Sequence, residues 1–180
     1  MNHLPSLARL TLVLVTMAAL PFPALAERAD REKPVNLESD RVFVDEAKKT
    51  HVFEGNVILT QGTLIIKSDK LVVVEDGGGF QKGTATGGPN GLAWFKQKRE
   101  GKNEYVEGEA ERIEHDSKSE KSEFFTRAHV KSGQDDVRGQ YIIYDAKSEN
   151  YTVTNGPNGT VSQGKQERVR AIIQPREQNK

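Results

Sequence analysis

The side chains of this chain that could do chemistry are three of its four histidines and a crowd of carboxylates. His51, His115 and His129 lie beyond the N-terminal apolar stretch, and none stands two or four positions from another. The H-x-H and H-x-x-x-H spacings that set two imidazoles on one face of a strand or helix are therefore absent, and no metal site is expected. Each histidine reads as a surface or strand-edge residue. A glycosidase needs two carboxyl groups facing across a cleft, whereas the 26 acids here are spread through loops and turns. No G-x-S-x-G, P-loop or Rossmann pattern appears. Gly77-Gly78-Gly79 could cradle a phosphate, but no helix pattern follows it, so it reads as a loop. Asn150-Tyr151-Thr152 and Asn158-Gly159-Thr160 are formal glycosylation sequons. The residues point to no catalytic group, no metal and no cofactor. A carbohydrate-active β-solenoid is the enzymatic alternative.

The informative pattern is apolar. Around Phe53 to Asp69, Val57 and Leu59 share one face while Ile58 takes the other, and Leu64 and Ile66 share a face likewise. Period two marks half-buried strands. Gln61-Gly62 between them reads as a tight turn, since glycine tolerates positive φ. The pattern then recurs. Arg41-Val42-Phe43-Val44-Asp45 aligns with Arg112-Ile113-Glu114-His115-Asp116 at an offset of 71. The same offset takes Phe53 to Phe124, Leu59 to Val130, Gly62 to Gly133, Ile66 to Val137 and Leu71 to Ile142. Thr84 to Gly91 matches Thr152 to Gly159 in six of eight positions. Two similar β modules, about 35–105 and 106–175, are expected. Asn90-Gly91 and Asn158-Gly159 read as hairpin turns. Glu109 to Lys121 has only Ala110 and Ile113 for an apolar helix face, and the duplication assigns it to strand. Val169, Ala171 and Ile173 alternate as a last strand. The fold class is all-β.

Composition bounds the rest. Lys and Arg together number 26, equal to the acids, so no global field steers a nucleic acid. There is no cysteine, so pairing and burial must hold the chain without disulfides. Leu10 to Leu20 is apolar, Pro21 and Pro23 follow, and Ala24-Leu25-Ala26 fits a cleavage site. Residues 1–26 read as a secretory signal, too short in its apolar run to span a membrane. Residues 27–34 read as a flexible N-terminus and 176–180 as a disordered tail. The product is expected in the periplasm, with no lipid anchor.

Specific residues carry a family resemblance: Leu37-Glu38-Ser39-Asp40, Phe53-Glu54-Gly55-Asn56-Val57, Thr60-Gln61-Gly62, Lys67-Ser68-Asp69-Lys70-Leu71, Val106-Glu107-Gly108-Glu109-Ala110 and Arg138-Gly139-Gln140-Tyr141-Ile142. They resemble the OstA-like family of lipopolysaccharide transport proteins over about residues 34–175. The resemblance implies an open, slightly twisted β-jellyroll of about sixteen antiparallel strands, without enzymatic activity or cofactor. It implies a bridge carrying lipopolysaccharide from inner to outer membrane, with lipid A acyl chains in an apolar groove. Its partners would be an LptC-like inner-membrane protein, an LptD-like outer-membrane protein and head-to-tail copies of the chain. By face parity the groove would be lined by Leu37, Val57, Leu59, Leu64, Ile66, Leu71, Val73, Phe95, Val106, Ala110, Ile113, Phe124, Ala128, Val130, Val137, Ile142 and Tyr144. Ala110 and Ile113 disagree in parity, so a bulge between them or one misplacement is expected. The partner edges would be Val35, Leu37 and Ser39 at one end and Val169, Ala171 and Ile173 at the other. A periplasmic scaffolding protein with a dry core is the non-transport alternative.

Overall fold

The computed structural model describes residue 30, residues 32–161 and residues 168–173. The expected leader at 1–26 and the tail at 176–180 lie outside the described residues. Twelve strands run in order: β1 (Asn36–Glu38), β2 (Arg41–Asp45), β3 (Thr50–Gln61), β4 (Leu64–Asp76), β5 (Gly79–Thr86), β6 (Ala93–Lys98), β7 (Tyr105–Ala110), β8 (Arg112–Asp116), β9 (Lys121–Ser132), β10 (Asp135–Asp145), β11 (Asn150–Thr154) and β12 (Arg170–Ile172). All their pairings are antiparallel.

Four strands, β3, β4, β9 and β10, are long enough to serve two sheets. The first sheet joins β2, the start of β3, the end of β4, β5, β8, the start of β9, the end of β10 and β11. The second joins β1, the end of β3, the start of β4, β6, β7, the end of β9, the start of β10 and β12. Twelve strands with four counted in both sheets give the sixteen segments expected. The molecule is thus one sheet folded on itself, as in an open jellyroll. The bends form a closed seam on one side. The hairpin tips of both sheets face each other on the other side and leave a mouth.

The bends have a local cause. In β3, Gly55 and Asn56 both have positive φ, 82° and 47°, and together oppose one residue of β4. This is a bulge, which kinks a strand and strengthens its twist. At the equivalent place in β9, Thr126 and Arg127 have φ of 63° and 53°, and the register with β10 shifts between Gly139 and Tyr141. Each bulge is buttressed by the corner where the chain changes sheet. Asp40, between β1 and β2, donates its N–H to the Gly55 carbonyl at 3.0 Å and accepts from Asn56 Nδ2 at 3.0 Å. Glu111, between β7 and β8, donates its N–H to the Thr126 carbonyl at 3.1 Å and accepts from Arg127 Nε at 2.7 Å. Asp40 and Glu111 are related by the 71-residue offset, so the duplication extends to the corners. The break at Glu111 also explains the parity conflict: Ala110 and Ile113 are both buried, on opposite sides of a corner.

Three local readings are corrected. The first turn is Gly62-Thr63 rather than Gln61-Gly62, because Gln61 pairs with Leu64. Its flanking strands are 12 and 13 residues long, well beyond the short apolar segments Val57 to Leu59 and Leu64 to Ile66 that the sequence marks. Asn90-Gly91 is not a hairpin turn. It belongs to a short 3-10 segment, Pro89–Gly91, with Asn90 at φ 61°. That segment carries the chain from β5 in one sheet to β6 in the other, while both strands pair with different halves of β4. Asn158 at φ 52° holds the equivalent corner in the second copy. The Asn-Gly signal reports a positive-φ corner, and β4 decides what the corner connects.

Gly55 is the position where the corner leaves least freedom. A Cβ there would collide with Asp40, on top of the positive-φ penalty. Gly55→Ala is expected to lower stability by about 1–3 kcal/mol. Urea unfolding followed by tryptophan fluorescence would check this, since Trp94 is the sole tryptophan.

Candidate functional site

Register places inward-facing side chains in rows that cross every strand. In the first sheet one row reads Val42, Phe53, Leu71, Ala85, Ile113, Phe124, Ile142, Val153. In the second sheet the facing row reads Leu37, Leu59, Ile66, Phe95, Gly108, Val130, Val137, Ala171. Neither row contains a charge or a hydrogen-bonding side chain. Each spans eight strands, about 34 Å at roughly 4.8 Å per strand. Both rows run from one end of the molecule to the other.

Of the seventeen residues assigned to the groove, all but Leu37 are at most 3% exposed, and Leu37 packs half-buried at the row's end. The parity reading missed Ala85 and Ala93, which are equally buried. Alternation around Thr84-Ala85-Thr86, or counting back two from Phe95, would have found them. It also missed Gly108, whose importance lies in what it lacks. A Cβ there would strike the Phe124 ring reaching across from the first sheet. Phe124 meets Phe95 edge-to-face at 5.5 Å between centroids. The two sheets therefore interdigitate at this point of the interior.

Open space remains at the mouth. A cavity of about 440 Å³ opens between Lys33, Val35, Leu37 and Gln61 on the second-sheet side and Val73, Glu75, Gly78, Gly79, Phe80 and Ser117 on the first-sheet side. It adjoins the N-terminal end of the second-sheet row at Leu37.

A polar row runs beside the apolar one, nearer the mouth: His51, Val73, Gly83, His115, Ser122, Tyr144 and Tyr151. His115, expected at a surface or edge, is 4% exposed. Its Nδ1 lies 3.0 Å from Ser122 Oγ, and its ring stacks on Phe80 at 6.3 Å. Burial among aromatics disfavours the imidazolium and pushes its pKa down to about 4. His51 approaches Glu75 at 3.5 Å. His129 lies on the outer face of the second sheet, where Glu109 at 3.1 Å and Asp136 at 2.9 Å flank its ring. The three histidines are not brought together, and among the described residues no cluster of histidine and carboxylates could hold a metal ion.

Among the described residues, both ends of the folded sheet are unpaired. The N-terminal end presents β1 and also β2, where Val42, Phe43 and Val44 are exposed, Phe43 at 64%. Ser39 sits between them, its Oγ donating to the Arg41 carbonyl at 3.0 Å. The C-terminal end presents β11 and β12, with Val169, Ala171, Ile172 and Ile173 exposed. The sequence reading found one edge strand at each end. The fold supplies two, because each end terminates both sheets.

Comparison with known proteins agrees with this geometry. A family model described as "LptA/(LptD N-terminal domain) LPS transport protein" matches residues 36–150. The chain belongs to this family. It is 30% identical over 141 residues to the lipopolysaccharide export system protein LptA of Escherichia coli K12, across 78% of this chain and 75% of that protein. The Haemophilus influenzae LptA is also 30% identical over 141 residues, covering 77% and 80%. LptH of Pseudomonas aeruginosa is 25% identical over 178 residues, covering 97% and 95%. The crystal structure of LptH, described as the LptA-homologous periplasmic component of the lipopolysaccharide transport device, superposes with a TM-score of 0.71 at 21% identity. It covers 81% of this chain and 99% of that one. The family resemblance and the jellyroll fold inferred from sequence are both borne out.

Two outcomes follow from the interior. Phe124→Ala removes the ring that fills the space over Gly108 and is expected to cost about 3–5 kcal/mol in chemical denaturation. His115 is neutral in the native state and has a higher pKa when unfolded, near 6.5. The unfolded chain therefore binds the extra proton between about pH 6.5 and 4. Stability from this residue is present above 6.5 and lost as pH falls through that window, by up to about 3 kcal/mol. His115→Phe should flatten that acid limb when unfolding midpoints are compared from pH 7.5 to 4.5.

Proposed function

We propose that this chain is a periplasmic lipopolysaccharide carrier that shields acyl chains between its two sheets, without catalysing a reaction. In this reading it is exported by a cleavable signal and bridges the two membranes as head-to-tail copies between an LptC-like and an LptD-like protein. The observation that carries the reading is the pair of uncharged apolar rows running unbroken from one unpaired end to the other. Burying each acyl CH2 is worth about 0.8 kcal/mol, so a single chain of a dozen such groups faces about 10 kcal/mol in water. A track that stays apolar along its length removes that barrier without a deep trap at any one point.

The packed interior must part to admit a lipid, and the architecture supports such parting. Among the described residues, the strands that pass from one sheet to the other do so along the seam. At the mouth they meet through side chains, so opening breaks no ladder hydrogen bond. Apolar packing of sheet on sheet gives way to packing of each sheet on acyl chains, an exchange with little net cost. The unpaired strands at both ends offer backbone groups to another chain, and unlike ends extend a filament rather than close a ring.

The close packing also favours a second reading, a scaffolding β-protein with a dry core. Photo-crosslinking separates the two. A benzophenone side chain in place of inward Leu59 is expected to capture lipopolysaccharide in cells, while one at outward Ile58 is not. Capture at Ile58 alone would overturn the interior route. No capture at either site and no saturable binding by the purified protein would favour the scaffold.

A further inference from the structure

The mouth is not uniform. Its N-terminal half holds the 440 Å³ cavity. Its C-terminal half is stitched shut. Arg99, just after β6 in the second sheet, reaches across to Glu149, the last residue of the β10–β11 turn in the first. The contact has two points, Nε to Oε1 at 3.3 Å and Nη2 to Oε2 at 2.9 Å. Lys102 Nζ donates to the same Glu149 Oε2 at 2.8 Å. Arg99 Nη1 donates to Glu104 within its own loop at 2.8 Å. Among the described residues, the ion pairs that cross the mouth all centre on Glu149. A Tyr151–Asp135 hydrogen bond crosses nearby. Glu149 is aimed there by its backbone, at φ 54° in a turn whose Lys147 and Ser148 N–H groups donate to Asp145. Burial pushes the Glu149 carboxyl up, but hydrogen bonds from Arg99 and Lys102 outweigh it and hold it below the usual range. The Arg99 side chain is only 16% exposed.

We propose that Arg99 and Lys102 form a phosphate-binding pair masked by Glu149, and that a phosphorylated acyl glycolipid displaces the Glu149 carboxylate and opens this half of the mouth. The proposal rests on the lipid-carrier reading and adds to it a headgroup site. The guanidinium fork already grips a planar anion at two points, and a phosphate offers the same pair of oxygens with more charge. Loss of Glu149 removes the carboxylate that both cations share, and a phosphate restores the balance. The acyl part of the same ligand enters where the cavity already opens, next to the apolar rows. Glu149 then acts as a latch: it keeps the empty interior closed and yields only to an anion that brings acyl chains with it.

Spin labels report the gap, since the chain has no cysteine of its own. Labels on Asn103→Cys and Ser148→Cys, both exposed and outside the ion pairs, measure the distance across the mouth by pulsed electron resonance. Bis-phosphorylated lipid A in detergent micelles is expected to lengthen that distance, and its dephosphorylated counterpart is not. R99Q/K102Q is expected to weaken binding of bis-phosphorylated lipid A by roughly 10- to 100-fold. Retained binding of dephosphorylated lipid would show that this variant is folded. E149Q, which unlatches the pair, is expected to tighten the phosphorylated form more than the dephosphorylated one. Equal binding and equal opening by the two lipids would overturn the phosphate site and leave the carrier reading intact. Failure of both lipids to bind would overturn both. Opening by inorganic phosphate alone, as strong as that by lipid, would overturn the headgroup assignment in favour of free phosphate.

Discussion

Everything in this molecule depends on how four strands turn a corner without ending. Two residues at positive φ, Gly55-Asn56 in β3 and Thr126-Arg127 in β9, oppose a single residue in the neighbouring strand. The extra residue bends the ladder, and the bend is shared by β4 and β10. A strand that belongs to two sheets makes those sheets face each other and joins them along one side only. The seam is backbone and cannot separate. The mouth is side chain and can. A sandwich built from separate strands would have no such asymmetry.

That asymmetry reconciles a filled interior with a transport role. Phe124 settles over Gly108, Phe95 meets it edge-on, and the sixteen deeply buried groove candidates are at most 3% exposed. A free chain with an open apolar trough would expose an aggregation-prone surface. Closing on itself solves that problem, and the closure is of the kind an acyl chain can substitute. The polar row of His51, His115, Ser122, Tyr144 and Tyr151 nearer the mouth gives the interior a graded edge. Apolar contact is deepest toward the seam, and hydrogen-bonding groups stand where a ligand's polar end would emerge.

Much of the site was legible because strand periodicity is strict. Leu59 and Val57 are on one face in any β structure, and the 71-residue offset carried that assignment to Val130 and Ala128. The residues that escaped are small. Ala85, Ala93 and Gly108 carry no apolar weight in a pattern search, yet they sit in the same rows because register puts them there. His115 escaped for a different reason. In sequence it alternates with Ile113, so parity aims it inward, but an imidazole reads as polar until its neighbours Phe80, Phe95 and Ser122 are known. Asn90-Gly91 was legible as a positive-φ turn and illegible as a corner, since a turn does not say whether its two strands pair with each other.

The sequence by itself determined the strand content, the duplication, the inward face of most strands and the family, because each follows from residue spacing along the chain. Only the tertiary structure decided that four strands are shared between two sheets, that each end exposes two edges, that the apolar rows pack closed, and that Arg99 meets Glu149 across the mouth. Those features join residues up to 50 positions apart. They depend on the angle set at the bulges, and no local pattern encodes which distant side chains such an angle brings face to face.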